Sequence, residues 1–310
     1  MAFSLLNQLR QINRHLVELP CPGCGQFDPQ LIWRYDRYFL RVNLSVCRHC
    51  SLVYLARGMK DDTQARFYGQ LYPRLMRQPP ASKAVWNYRL IAGYRFSEIS
   101  NVVGQCQSVL DIGAGLGFFL EACRAHGCEH YMGLEPGGPQ RDHAVQVLGL
   151  GEHVRPEELD EQTQLPFAPR LVTLFHVLEH LQEPGRALAR IAKLMDPQGW
   201  LVIEVPDIEA DWPELGLSQV HVSHRSYFSA QTLETLLNAN GFYAHHWRQE
   251  AHGIYEGNLR VYARLSAPAT PAVAAPPPSA GNIRAHILKQ IRPLSLRNGY
   301  PRLAWRLARL

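Results

Sequence analysis

The chain of 310 residues is 46% hydrophobic and 19% charged, which excludes a disordered or fibrous protein and fits an ordered globular one. No apolar run reaches the ~18 residues that a spanning helix needs. The net charge of +5 is unevenly spread: residues 283–310 carry seven Lys and Arg and no acid, which leaves −2 for the first 282 and argues against a body that grips nucleic acid through its phosphates.

Residues 1–17 read as an amphipathic helix with Phe3, Leu6, Leu9 and Leu16 on its apolar side. Polar residues interrupt every apolar stretch there, so the segment is not a secretory signal and a cytoplasmic location is expected. Two pairs follow, Cys21-x-x-Cys24 and Cys47-x-x-Cys50, separated by 22 residues. Each pair turns two thiolates toward one ion, and the spacing matches a zinc ribbon over residues 18–60. Four protein ligands close such a site, so Zn²⁺ would be structural and would hold a small unit that could not build a core alone. Cys106, Cys123 and Cys128 read as ordinary buried or half-buried thiols, and His49 as solvated. Residues 61–104 form a helical connector that opens with Phe67-Tyr68-Gly69-x-x-Tyr72 and holds a helix over 84–99. Those aromatics either cap a site or join the ribbon to the body.

From 105 to 265 strand-like and helix-like segments alternate, the pattern of a doubly wound α/β sheet. Strands are expected at 108–112, 130–134, 171–175, 200–205, 242–248 and 258–265, with a short one near 153–155. Helices are expected at 117–126, 138–148, 184–195 and 230–240, the last opened by Ser229 and closed by Gly241. The last two strands are joined without a helix and should form an antiparallel hairpin at one sheet edge. In the stretch Val109 to Leu120, Asp111 precedes Gly113, Gly115 and Gly117, and an apolar helix then begins. Alternating glycines turn the chain sharply and let a ligand lie against the backbone. Phe118 stands where a dinucleotide fingerprint needs its third glycine. Glu135 ends the next strand, placed to accept the two hydroxyls of a ribose.

His176 and His180 follow the strand at 171–175, and His221, His224 and Tyr227 follow the strand at 200–205. Ligands of open α/β sheets bind outside the carboxyl ends of the strands, which puts both loops at the site. Residues 266–282 are a Pro/Ala linker. Residues 283–310 form a basic amphipathic tail that either meets an acidic partner or a membrane surface, peripheral at the inner face, or folds back on the body.

Taken in this order, the cysteine pairs, Phe67-Tyr68-Gly69 with Tyr72, Asp111 to Gly117, Gly133-Leu134-Glu135-Pro136, Phe175 to His180, and His224 with Tyr227-Phe228-Ser229 resemble the zinc-ribbon class I S-adenosylmethionine (SAM)-dependent methyltransferases. That family includes sugar C-methyltransferases and polysaccharide-biosynthesis enzymes. The resemblance implies a Rossmann-like methyltransferase sheet and a SAM site made of Asp111, Gly113, Ala114, Gly115, Gly117, Phe118, Glu135, Pro136, Phe175 and His176. It implies catalysis by His224 and His180, with His176 and Tyr227 next. Two positions depart from it. Ser223 replaces the glutamate of a His-Glu-His run, and Arg170 replaces an aspartate ahead of the strand at 171–175, which bears on the surroundings of the adenine. The function so implied is methyl transfer to a small-molecule acceptor: a sugar, a nucleotide-sugar or a glycan end. An RNA methyltransferase and a non-catalytic SAM-binding scaffold are the alternatives.

Overall fold

The protein is described by a computed structural model over residues 2–75, 82–105, 107–210, 219–250, 257–266 and 280–291. Helix α1 (Ala2–His15) is followed by strands β1 (Val17–Glu18), β2 (Pro29–Tyr35), β3 (Arg41–Cys47), β4 (Val53–Leu55) and β5 (Arg57–Gly58). Helices α2 (Asp61–Arg66), α3 (Tyr72–Leu75) and α4 (Ser82–Val103) lead onward, with a π-helical turn at Phe67–Leu71 between the first two. The body then runs β6 (Ser108–Ile112), α5 (Phe118–Ala125), β7 (His130–Leu134), α6 (Pro139–Asp142), β8 (Val154–Arg155), β9 (Leu171–Phe175), α7 (Pro184–Leu194) and β10 (Trp200–Pro206). It continues through β11 (Ser226–Tyr227), α8 (Ala230–Ala239), β12 (Phe242–Glu250), β13 (Asn258–Leu265) and α9 (Ala280–Ile291).

The main sheet has seven strands in the order β12-β13-β10-β9-β6-β7-β8. The strands from β10 to β8 are parallel, while β13 runs antiparallel to both β10 and β12. The expected edge hairpin is therefore present. Strand β6 is buried at every position and β9 and β10 at nearly all, as expected where helices cover both faces of a parallel sheet. Ser229 caps α8, its side chain accepting from the Thr232 amide while the Thr232 hydroxyl accepts from Ser229 N–H. The helix expected over 138–148 is instead α6 followed by a π-helical turn at His143–Val147.

Three expectations need correction. The cysteine-bearing sheet is not completed by residues 18–60 alone, although one of its faces lies in a buried cluster separate from the main sheet, with α1 and α9. Its fourth strand is β11, contributed by the loop beyond β10, and Cys21, Cys47, Leu52 and Tyr54 share one buried cluster with Phe228, Leu178 and the main sheet. The tail folds back as far as it is described. Ile283, Ile287 and Ile291 of α9 are buried among residues of β2, β3 and the Phe67 turn, so this apolar face is not open to a membrane. Ala280–Asn282, assigned to the linker, already belong to α9. Residues 267–279 and 292–310, Cys106 and the side chains of Phe3 and Leu6 lie outside the described residues. Leu9 and Leu16 are buried, as the amphipathic pattern requires. Cys123 is buried, Cys128 half-buried and His49 exposed.

Candidate active site

The glycine turn joins β6 to α5. Gly113 and Gly117 have φ of 71° and 83°, and a Cβ on Gly113 would lie 2.3 Å from Val177 Cγ2. Glycine is therefore required there on two counts, and the contact shows that the loop after β9 packs directly on the turn. Asp111 is buried and accepts from the Thr173 hydroxyl at 2.7 Å. Glu135, at the tip of β7, accepts from Gly115 N–H at 2.8 Å. Burial pushes both carboxyls up to about 7, against the hydrogen bonds that favour their ionised forms.

The loop after β9 begins with a strained residue. His176 has φ of 57°, a conformation rare for a side chain with a Cβ. It lies between two buried carboxylates, with Nδ1 3.4 Å from Glu179 Oε1 and Nε2 3.4 Å from Glu204 Oε1. Burial would lower its pKa, but the two acids outweigh burial and hold it up at about 9. His176 is thus a cation at neutral pH and not a base, which corrects its place among the proton acceptors. Glu204 also receives Arg260, through Nε at 2.8 Å, and Arg95 of α4, which covers the Phe175 ring at 4.4 Å. Neither Glu204 nor its arginines were singled out from sequence. The available signal was one carboxylate in the otherwise apolar run of β10, which needs partners if it is buried.

His180 follows on a single 3-10 turn, Leu178–His180. Its Nδ1 donates to the Ser223 carbonyl at 2.9 Å and lies 3.1 Å from the Tyr68 hydroxyl. A carbonyl only accepts, so Nδ1 carries the proton and Nε2 the lone pair. Tyr68 comes from the π-helical turn, an irregularity that sets its hydroxyl against the histidines while Phe67 beside it stays in the core. The aromatic segment thus both faces the site and joins the two parts. The ring of His224 is 4.8 Å from that of His180 and 5.5 Å from that of His221. Burial lowers the pKa of both His180 and His224, so both imidazoles are neutral at pH 7.

Tyr227 takes a different role from the one expected. Its buried hydroxyl accepts from His221 N–H at 3.0 Å and donates to His221 C=O at 3.2 Å, clamping the loop instead of facing an acceptor. Two further residues hold that loop. Asp36 accepts from the amides of Tyr38, Leu40 and Val222. Arg225 donates to the carbonyls of Leu55 and Pro20, and its own amide donates to Glu179 C=O at 2.6 Å. Ser223 turns its hydroxyl onto His221 Nδ1. Arg170 is exposed at the amino end of β9, opposite to the ligand-binding end, so its departure from the family pattern does not bear on the adenine.

At the cysteine pairs, Cys21 Sγ is 3.5 Å from Cys50 Sγ and Cys24 Sγ is 3.6 Å from Cys47 Sγ, and all four sulfurs lie within 4.8 Å of one another.

A mixed sheet with its glycine turn after β6, an acid at the tip of β7 and an antiparallel strand beside β10 defines a class I SAM-dependent methyltransferase. The chain belongs to the methyltransferase-domain family, whose model matches residues 62–246. It is 32% identical over 205 residues to the tRNA U34 carboxymethyltransferase of Syntrophotalea carbinolica, an alignment that takes in 60% of this chain and 62% of that protein. Similar solved structures include the plantazolicin methyltransferase BpumL in complex with SAH, with a TM-score of 0.49 and 11% identity over 66% of this chain and 93% of that one. The CcbJ methyltransferase from Streptomyces caelestis is another, with a TM-score of 0.48 and 14% identity over 64% and 98%. Among the described residues no helix is long and apolar enough to cross a membrane.

Proposed function

We propose that this enzyme methylates a hydroxyl-bearing small molecule, with a sugar, nucleotide-sugar or glycan end as the acceptor class. The observation that carries the reading is the convergence of Tyr68, His180 and His224 beside the loop that packs on Gly113. The sulfonium of SAM supplies an electrophilic methyl group. Glu135 and the amides of the Gly113–Gly117 turn fit its nucleoside and methionine parts. The carboxylate is buried but one edge reaches the turn, and nothing except a carbonyl 3.9 Å away would meet a Cβ on Gly115. Asp111 shapes the turn from below, and Ala114, Phe118, Pro136, Phe175 and His176 complete the proposed cofactor wall. His224 takes the acceptor's proton and His180 orients the acceptor, since both are neutral imidazoles at pH 7.

The tRNA-modifying relative favours a second reading, an RNA acceptor. The −2 charge of the first 282 residues weighs against it, because phosphate binding needs a basic face. Transfer of labelled methyl from SAM to nucleotide-sugars, and not to tRNA, is the expected result; the opposite pattern would replace this reading with the second. Glu135→Ala should raise the Kd for SAM by roughly 10–100-fold, the loss of a charge-assisted contact worth ~1.5–3 kcal/mol. Affinity should also weaken as pH falls through about 7, where the Glu135 carboxylate takes up a proton and no longer accepts from both hydroxyls. Calorimetry showing Glu135→Ala binding as tightly as wild type would remove Glu135 from the site.

The domain limits we propose follow the expected ones except at the start of α9: 1–17, ribbon 18–60, connector 61–104, methyltransferase 105–265, linker 266–279 and tail 280–310. For the ribbon we propose one structural Zn²⁺ on Cys21, Cys24, Cys47 and Cys50. Sulfurs bound tetrahedrally at ~2.3 Å lie about 3.8 Å apart, close to the spacings found here. Metal analysis should therefore give one zinc per chain. Cys47→Ser should lose the metal and speed hydrogen exchange over 18–60. Exchange should rise in 221–228 as well, since β11 pairs with β4 and Arg225 is held by Pro20 and Leu55. Zinc-free protein with freely titratable thiols would be decisive against it.

A further inference from the structure

Glu179 is 1% exposed, and among the described residues neither carboxylate oxygen has a hydrogen-bond partner. A buried carboxylate left in that state costs several kcal/mol, so its surroundings must answer its charge. His176 Nδ1 reaches Oε1 at 3.4 Å on one side. On the other, His180 Nε2 is 4.0 Å from the same oxygen, and the Ser223 carbonyl on Nδ1 fixes the tautomer that puts a lone pair on Nε2. One nitrogen of His224 completes the group: the three donor atoms all lie within 4.8 Å of one another.

We infer that Glu179, His180 and His224 bind a divalent transition-metal ion. Two imidazoles and one carboxylate are a donor set that suits Mn²⁺, Fe²⁺, Co²⁺ or Zn²⁺. Ligands each ~2.0–2.2 Å from one ion are at most about 4.4 Å apart, so the 4.0 Å between His180 and Glu179 already falls in range, and His224 needs only a small side-chain shift. The supporting contacts are in place: the Ser223 carbonyl and the Tyr68 hydroxyl hold the far nitrogen of His180, as outer partners of metal-bound histidines do. His176 and Arg37 set positive charge beside the group, so the ion should be held less tightly than a closed tetrathiolate zinc.

The inference rests on the reading of this cluster as the acceptor site, and it changes what the imidazoles do there. With three protein donors the ion would keep room for an acceptor hydroxyl, which would ionise there at a lower pH than in water. Its proton would then leave to solvent, and the lone pair of His224 would be committed to the ion. His224 serves as base only when the ion is absent.

The test uses the full-length purified protein with Mn²⁺ alone, followed by electron paramagnetic resonance and water-proton relaxation. Thiolates select zinc over manganese, so the ribbon stays silent. One Mn²⁺ per chain is expected, with Kd raised at least ~10-fold in Glu179→Gln and in His224→Asn. Melting curves establish that the variants fold; His224 is partly exposed and is the safer of the two. Zinc is the second probe, and the wild type should take one equivalent beyond the ribbon's. Failure of both ions to bind, or equal Mn²⁺ affinity in a folded His224→Asn, overturns the site. Sugar methylation that depends on His224 without any ion bound would overturn the metal site and keep the acceptor reading. Ion binding lost in the variants, with no sugar methylated, would do the reverse.

Discussion

Replacing His224 with Asn should lower kcat by ~10²–10⁴-fold and leave SAM affinity unchanged. The imidazole lies on the loop after β10, among His180, His221 and Tyr227, none of which belongs to the glycine turn that we assign to the cofactor. Burial and the neighbouring His180 hold its pKa well below the ordinary value, so a lone pair is present at any pH near neutral. Asn keeps a polar group of similar reach but has no basic nitrogen. The loss should therefore fall on the transition state and not on ground-state binding. A drop in kcat is expected whether the lone pair takes a proton or holds an ion, and manganese binding separates the two. Tyr227→Phe provides the contrast. Among the described residues its hydroxyl bonds to the backbone of His221, so this change should act through loop order and raise KM for the acceptor more than it lowers kcat. Single-turnover rates would decide the matter: a His224→Asn enzyme with wild-type turnover would remove the residue from the chemistry.

The parallel strands could be read from sequence because each is a short apolar run bounded by turn residues, and β6, β7 and β9 begin and end where those runs do. Asp111, the glycines and Glu135 stood out because close approach of a ligand to backbone restricts residue type at fixed spacing. What could not be read is whatever depends on pairing between distant segments. Ser226–Tyr227 is a strand only because Val53–Tyr54 lies beside it, and two residues carry no periodicity. Nothing local marks Asp36 as the anchor of the Val222 amide, or Arg225 as the strut between the cysteine sheet and the Glu179 turn. The histidines were found as a group, but their roles were not. His176 became a cation because two carboxylates, one from β10, enclose it. Tyr227 became a clamp because the loop folds its hydroxyl onto its own backbone.

Glu204→Gln is expected to be among the most destabilising single changes in the body, costing ~3–5 kcal/mol. The side chain is 1% exposed, in the middle of the sheet, and it receives Arg260, Arg95 and His176. Burial alone would raise its pKa, yet Arg95, His176 and Arg260 together hold the carboxyl well below the usual range, so it is charged at neutral pH. Gln preserves the shape and removes the charge. Arg260, itself 1% exposed, would then be a buried cation without a counter-charge, which is the costly half of a broken ion pair. The thermal midpoint should fall on the order of 10 °C, whereas Arg48→Ala, which removes the exposed Arg48–Asp28 pair, should cost less than ~1 kcal/mol. The same change should loosen the site, because Arg95 ties α4 to Phe175 and His176 has Glu204 as one of its two carboxylate partners. SAM affinity should therefore fall together with stability in Glu204→Gln, and a variant that melts with wild type would show that the arginines find other partners.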